Sequence, residues 1–215
     1  MVGILKIARS ITCTLAVALL LAGCMMNAIH PSVQPTTALI GQQIPKKVAL
    51  VLTDDFRNYV YRGQPSSLTA ALQTYDFNLG TSLSTALEDS LPKAFVHVEV
   101  MDTAPGDPGS FDLIVQPNVG SFDFAVNDSG GITNSFWFGA LGAAATSYSS
   151  DVMLGLEANV ATPALQRDER ISVQGFGRKG ASTFSWRGSD FNESSGAAIT
   201  DAVNKLVSKL AGTKS

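Results

Sequence analysis

Few side chains in this sequence have the types and spacing that chemistry needs, and their contexts argue against most of them. Asp54 and Asp55 are adjacent carboxylates, a pairing that can hold a cation or share a proton in acid–base work. They directly follow the apolar run Val48–Leu52 and no second ligand cluster accompanies them, so a polar strand end is the expectation. Asp128–Gly131 (Asp-Ser-Gly-Gly) would present a serine hydroxyl in a glycine-rich turn, but a nucleophilic serine needs a histidine base. The chain has two histidines, His30 and His97, and neither stands in a motif suited to that role. His97 alternates with Val96 and Val98, next but one to Glu99, which reads as an outward polar position. Gly175–Gly180 (Gly-Phe-Gly-Arg-Lys-Gly) satisfies G-x-G-x-x-G, yet a dinucleotide loop must open a helix. Ala181–Trp186 reads as strand instead, so the glycines are expected to bend a hairpin, with Arg178 and Lys179 solvated at its turn. The histidine and cysteine count leaves no zinc set. No catalytic residue, metal site or dissociable cofactor is expected.

The one strong chemical signal lies near the start. Lys6 and Arg9 form a positive n-region, and Ile11–Ala22 an apolar h-region of about 12 residues, where a spanning helix needs about 20. A signal peptide over residues 1–23 fits. Leu21-Ala22-Gly23-Cys24 resembles the bacterial lipobox. The resemblance implies a diacylglyceryl thioether on the Cys24 sulfur, cleavage before Cys24, and an acyl group on the new amine. Thiolate is the attacking species in the thioether-forming step. Of the two cysteines, Cys13 leaves with the signal peptide, so Cys24 stands alone and no internal disulfide can form. Two or three acyl chains anchor stably where one does not. Met25, rather than aspartate, follows the cysteine, which favours the outer membrane in enteric-type bacteria. The expected location is therefore lipid-anchored in the outer membrane, facing the periplasm.

The chain of 215 residues is 45% hydrophobic and 15% charged, with a formal charge of −3 that becomes more negative once Lys6 and Arg9 are gone. That balance supports one packed domain and disfavours a nucleic-acid partner, which selects for basic surfaces. Residues 24–46, with Pro31, Pro35 and Pro45, read as a lipidated tether with a span of order 25 Å, and His30 as solvated within it. The domain then covers 47–215. Val48–Leu52 fits a covered strand, and Tyr59–Gly63 a second short one. Leu79, Leu83, Leu87 and Leu91 form a helical stripe with Asn78 at its N-cap and Pro92 at its end. Val96, Val98 and Val100 alternate as a strand with one buried face. Strands follow at Phe111–Pro117, continuing to Asp128, at Ser150–Thr162 and at Arg170–Trp186. Ala198, Ile199, Ala202, Val203, Leu206 and Leu210 make a terminal helix. The expected fold is α+β: a two-layer sandwich, a mainly antiparallel sheet with two amphipathic helices on one face.

An insertion at about 128–149 separates two of those strands. Its uncharged middle, Phe136–Ala145, is read in three ways: a flap on its own domain, a contact surface for a partner or a second copy, or an interfacial membrane segment. Phe136, Trp137, Phe138 and Leu141 are the candidate contact residues. Together, the lipobox, the proline-containing tether, the Lys46–Leu52 strand and the Ile199–Gly212 helix make the chain similar to small envelope lipoproteins. The resemblance is loosely to YajG-like proteins and more distantly to LptE and CsgG. It implies a non-enzymatic accessory or scaffold subunit of an envelope complex. The alternatives are a carrier of a lipid or small hydrophobic ligand, and a subunit of a CsgG-like oligomeric channel. The expected partners are the membrane, through the lipid, other envelope proteins, and further copies of the chain.

Overall fold

The computed structural model describes residues 27–33, 43–65, 73–129, 147–182 and 188–212. Its elements are β1 (Asn27–Ile29), β2 (Ile44–Val51), α1 (Asp54–Arg57), β3 (Tyr61–Gly63), β4 (Tyr75–Phe77), α2 (Leu79–Ala94), β5 (Phe95–Met101), β6 (Leu113–Ser129), β7 (Ser147–Thr162), β8 (Arg167–Ser182) and α3 (Asp190–Gly212). Five strands form one sheet in the order β5-β2-β6-β7-β8, and three short ones a second in the order β1-β4-β3. The fold is the expected α+β sandwich. In the large sheet β2 pairs in parallel with β5 and β6 over short ladders. The long ladders β6–β7 and β7–β8 are antiparallel.

Period decides the layers. On α2 the four leucines of the stripe are fully buried, and on α3 the six expected stripe residues are too. Both helices lie on one face of the large sheet, where Leu154, Leu156, Ala158 and Val160 of β7 meet them. The small sheet belongs to that layer. Its Tyr61, Tyr75 and Phe77 stack with Phe122, Phe124 and Phe191 at centroid separations of 4.7–6.2 Å, tilted or edge-to-face, the geometry aromatic quadrupoles prefer.

Several local expectations are corrected. Pro92 sits inside α2, which runs to Ala94; in a last turn a proline forfeits one backbone bond, and the helix ends only where β5 begins. Strand β8 carries no bulge at its glycines: its register with β7 is unbroken from Arg167 to Ser182. Gly175 and Gly177 lie beneath α3: a Cβ on Gly175 would stand 2.0 Å from the Ala198 carbonyl oxygen, and one on Gly177 1.8 Å from that of Ser194. These glycines let helix backbone touch strand backbone. The valines of β5 do not form a buried face, since Val96 and Val100 are 46% and 42% exposed; β5 is an edge strand and the helices stop short of covering it.

Candidate functional site

The segment expected to be a free tether is, over residues 27–33, part of the fold. Asn27 and Ile29 stand opposite Tyr75 and Phe77 in a parallel ladder, and the Ile29 side chain is 2% exposed. The Asn78 amide donates to the Ile29 carbonyl at 3.1 Å, and the Ser32 amide to the Asn192 carbonyl at 2.8 Å. The His30 amide donates to Asn192 Oδ1 at 3.0 Å, while the His30 ring nitrogen Nδ1 meets Asn78 Nδ2 at 3.1 Å. His30 is exposed, as expected, but anchored. Its anchoring takes the Asn78 side chain away from the helix end, where it makes no capping bond. Gly196 admits the crossing: a Cβ there would lie 2.0 Å from the Ser32 carbonyl oxygen. A three-residue strand has no period to read, so β1 left no signal in the sequence.

This docking bounds how far Cys24 can lie from the fold. Cys24 lies outside the described residues, as do Met25 and Met26, the two residues between it and β1. At about 3.6 Å per extended residue, the Cys24 Cα cannot be more than about 11 Å from that of Asn27. Phe136, Trp137, Phe138 and Leu141 also lie outside the described residues. The strands flanking them continue further than expected, pairing Ser129 with Ser147, so the segment between paired strands is 130–146.

On the sheet face away from the helices, Asp151 is 9% exposed. Arg178 donates to both its oxygens, Nε to Oδ1 at 2.8 Å and Nη2 to Oδ2 at 2.6 Å, and Asn127 Nδ2 donates to Oδ2 at 2.7 Å. The Arg178 hydrogen bonds hold this carboxyl below the usual carboxylate range, against the opposing effect of burial. The same contact raises the Arg178 pKa. Lys179, paired with Glu193 at 2.6 Å, is raised likewise. Neither basic residue is the free turn cation expected from the sequence; both are tied to named carboxylates. Glu157 pairs with Arg170 on the same face. These are cross-strand and sheet–helix pairs.

The carboxylates Asp54 and Asp55 open the one-turn helix α1, whose N-cap Thr53 accepts from the Phe56 amide at 3.3 Å, so they complement a helix start rather than end a strand. A cleft of about 340 Å³ lies beside them, with Asp55, Tyr59, Gln116, Asn118 and Asn159 among its walls. Among the described residues Asp55 is the only charged group lining it, which gives neither a metal set nor an acid–base pair. His97 is exposed on β5. No cluster of three metal-ligating side chains occurs among the described residues, and no helix among them is long and apolar enough to cross a membrane.

No protein-family model matches the chain, and no curated protein sequence does. Solved structures share its outline. Protein XCC0632 from Xanthomonas campestris, of the DUF330 family, is 14% identical with a TM-score of 0.43, covering 86% of this chain and 93% of its own. A minor lipoprotein from Acinetobacter baumannii is 10% identical with a TM-score of 0.39, covering 80% and 94%. A homologue of a neuraminyllactose-binding hemagglutinin from Helicobacter pylori is 13% identical with a TM-score of 0.39, covering 86% and 92%. None of these scores is high enough to bear on what this chain does.

Proposed function

We propose that the protein is a lipid-anchored envelope lipoprotein, held through an N-acyl diacylglyceryl group on Cys24 to the periplasmic face of the outer membrane. There it serves as a non-enzymatic accessory or scaffold subunit. The observation that carries the reading is the join between motif and fold: the lipobox cysteine of Leu21–Cys24 stands three positions before a strand whose Ile29 is buried in the core. A spanning helix would need about 20 apolar residues, and the h-region ends too soon for that. The scaffold role is supported by side-chain chemistry that is consumed in structural pairs, Asp151 with Arg178 and Lys179 with Glu193.

A carrier would need space between sheet and helices. That space holds the rings of Tyr75, Phe77, Phe124 and Phe191, all at most 2% exposed, which favours the scaffold. The test is the mass of the mature protein extracted from membranes: a chain starting at Cys24 with three acyl groups is expected. Cys24→Ser should accumulate unprocessed or leave the membrane fraction. A Cys24→Ser chain that is cleaved and membrane-bound like the parent would overturn the reading.

A further inference from the structure

The two edges of the large sheet are treated differently. On β8, the middle of the outer edge, Ser172 to Phe176, is taken up by α3. Asp201 Oδ2 accepts from the Phe176 amide at 3.0 Å, Lys205 Nζ donates to the Gln174 carbonyl at 2.9 Å, and Lys209 Nζ to the Ser172 carbonyl at 2.8 Å. A strand blocked this way cannot recruit another. On β5, the Met101 carbonyl accepts from the Leu52 amide at 2.8 Å. Met101, Glu99 and His97 therefore turn their backbone groups toward β2, and the alternate residues Val96, Val98 and Val100 turn theirs outward. Val96 and Val100 are also the exposed apolar side chains of that strand.

We propose that β5 pairs antiparallel with β5 of a second copy of this chain, across a two-fold axis at Val98, to form a continuous ten-stranded sheet. The sequence Phe95-Val96-His97-Val98-Glu99-Val100-Met101 is complementary to its own reverse. Centred on Val98, the pairing sets Val98 against its symmetry mate and Val96 against Val100, both as hydrogen-bonded pairs. His97 then faces Glu99 of the second copy, twice, as non-hydrogen-bonded pairs, the type with the closer side chains. Competing registers lose these pairs. Centring on His97 opposes two histidines and strands Glu99 against Phe95; centring on Glu99 opposes two carboxylates. Like charges directly across a ladder destabilise it, whereas an imidazole N–H opposite a carboxylate can donate a hydrogen bond to it. Lys47, which stands beside His97 on β2 and pairs loosely with Glu99 at 3.8 Å, adds a cation to the same face and strengthens the demand for a carboxylate opposite His97. The capped middle of β8 opposes its use as a second edge, and a chain of edges would need β8 as acceptor, so the association stops at two.

Cysteine crosslinking in native membranes tests both partner and register. Hydrogen-bonded opposite pairs have Cα atoms about 5.5 Å apart, within disulfide reach. Val98→Cys should give a covalent dimer on mild oxidation, while the parent gives none. Val96→Cys alone and Val100→Cys alone should not crosslink, because each lies about four residues, roughly 14 Å, from its own mate. The double variant Val96→Cys/Val100→Cys should. Separately, Glu99→Lys should lower the non-covalent dimer fraction about tenfold, and His97→Glu/Glu99→Lys, which sets a carboxylate opposite an ammonium, should recover it. Failure of Val98→Cys to crosslink in a chain that retains its thermal transition overturns the proposal. So does crosslinking of Val96→Cys alone as efficient as that of Val98→Cys.

Discussion

Replacing Ile29 with alanine should detach the N-terminal segment without unfolding the domain. Ile29 is 2% exposed among Tyr75, Phe77 and their neighbours, and truncating such a side chain costs about 2–4 kcal/mol. The segment it belongs to is short. Its fold-holding contacts include one three-residue ladder, the Asn78 amide bond to Ile29, the Ser32 and His30 amide bonds to Asn192, the His30–Asn78 and Ser82–Pro31 contacts, and the buried Pro31. Net hydrogen-bond contributions are about 1 kcal/mol each, against an ordering cost of about 1–2 kcal/mol per residue. A loss of about 2 kcal/mol is therefore comparable to everything that holds the segment down, whereas the core behind it has many other contacts. Amide hydrogen exchange reads the difference. Protection of the Asn78 amide, which donates to Ile29, and of the Ser32 amide should fall about 30-fold or more, the factor equivalent to about 2 kcal/mol. Amides of β7 should lose much less. Gly196→Ala should mimic the effect from the other side, by placing a methyl against the Ser32 carbonyl. Equal loss of protection in β7 and at Asn78 would refute the reasoning, because β1 would then be part of the cooperative core and not a docked segment.

Gly177→Ala, with its Cβ 1.8 Å from the Ser194 carbonyl oxygen, should lower stability by about 3 kcal/mol or more in a denaturant titration. Gly180→Ala, with open space around it, should stay within about 0.5 kcal/mol. Because the folded pKa of Asp151 is depressed, its contribution is present above the unfolded value of about 3.9 and is lost as pH falls through the folded one. Asp151→Asn should therefore be less stable than the parent at neutral pH, with a flatter decline below about pH 4 in thermal unfolding. Changing Phe136, Trp137 and Phe138 together to serine should abolish co-purification of envelope partners while leaving the melting temperature nearly unchanged. A sharp drop in melting temperature with partners retained would assign these rings to the core.

Long periodic elements were legible in the sequence, and short or edge elements were not. The stripes of α2 and α3 and the alternation of β7 each repeat often enough for period to outweigh local noise, and with them came the α+β sandwich. The valines of β5 alternate equally well, but alternation reports which residues share a face and not whether a helix covers it. The same limit explains the Gly175–Gly180 reading. Glycine in a strand signals a bend or a close backbone approach with the same letter, and only the position of Ser194 and Ala198 above β8 separates the two. Of the candidate site, the Cys24 proposal rests on the lipobox, a contiguous signal in the sequence. The docking of residues 27–33 was not, since its partners Asn78 and Asn192 are distant in the chain.

The proposed lipid anchor and the proposed β5 pairing constrain each other. A two-fold relating antiparallel edge strands runs perpendicular to the sheet. If both copies hang from one leaflet, that axis must follow the membrane normal, so the joined sheet lies parallel to the bilayer. The anchor decides which face points down. The small sheet containing β1 packs on the helix side, through Tyr75 and Phe77 against Phe124 and Phe191, and Cys24 is within about 11 Å of it. The helix layer then faces the lipid, and the open face with Met153 and Phe176, both about half exposed, faces away. A fluorophore on Thr85→Cys, exposed on α2, should be quenched by headgroup-labelled lipid several-fold more than one on Met153→Cys. Equal quenching in a protein shown by mass to carry its lipid would mean that the sheet stands upright. A two-fold with both lipids in one leaflet could not then pass through β5.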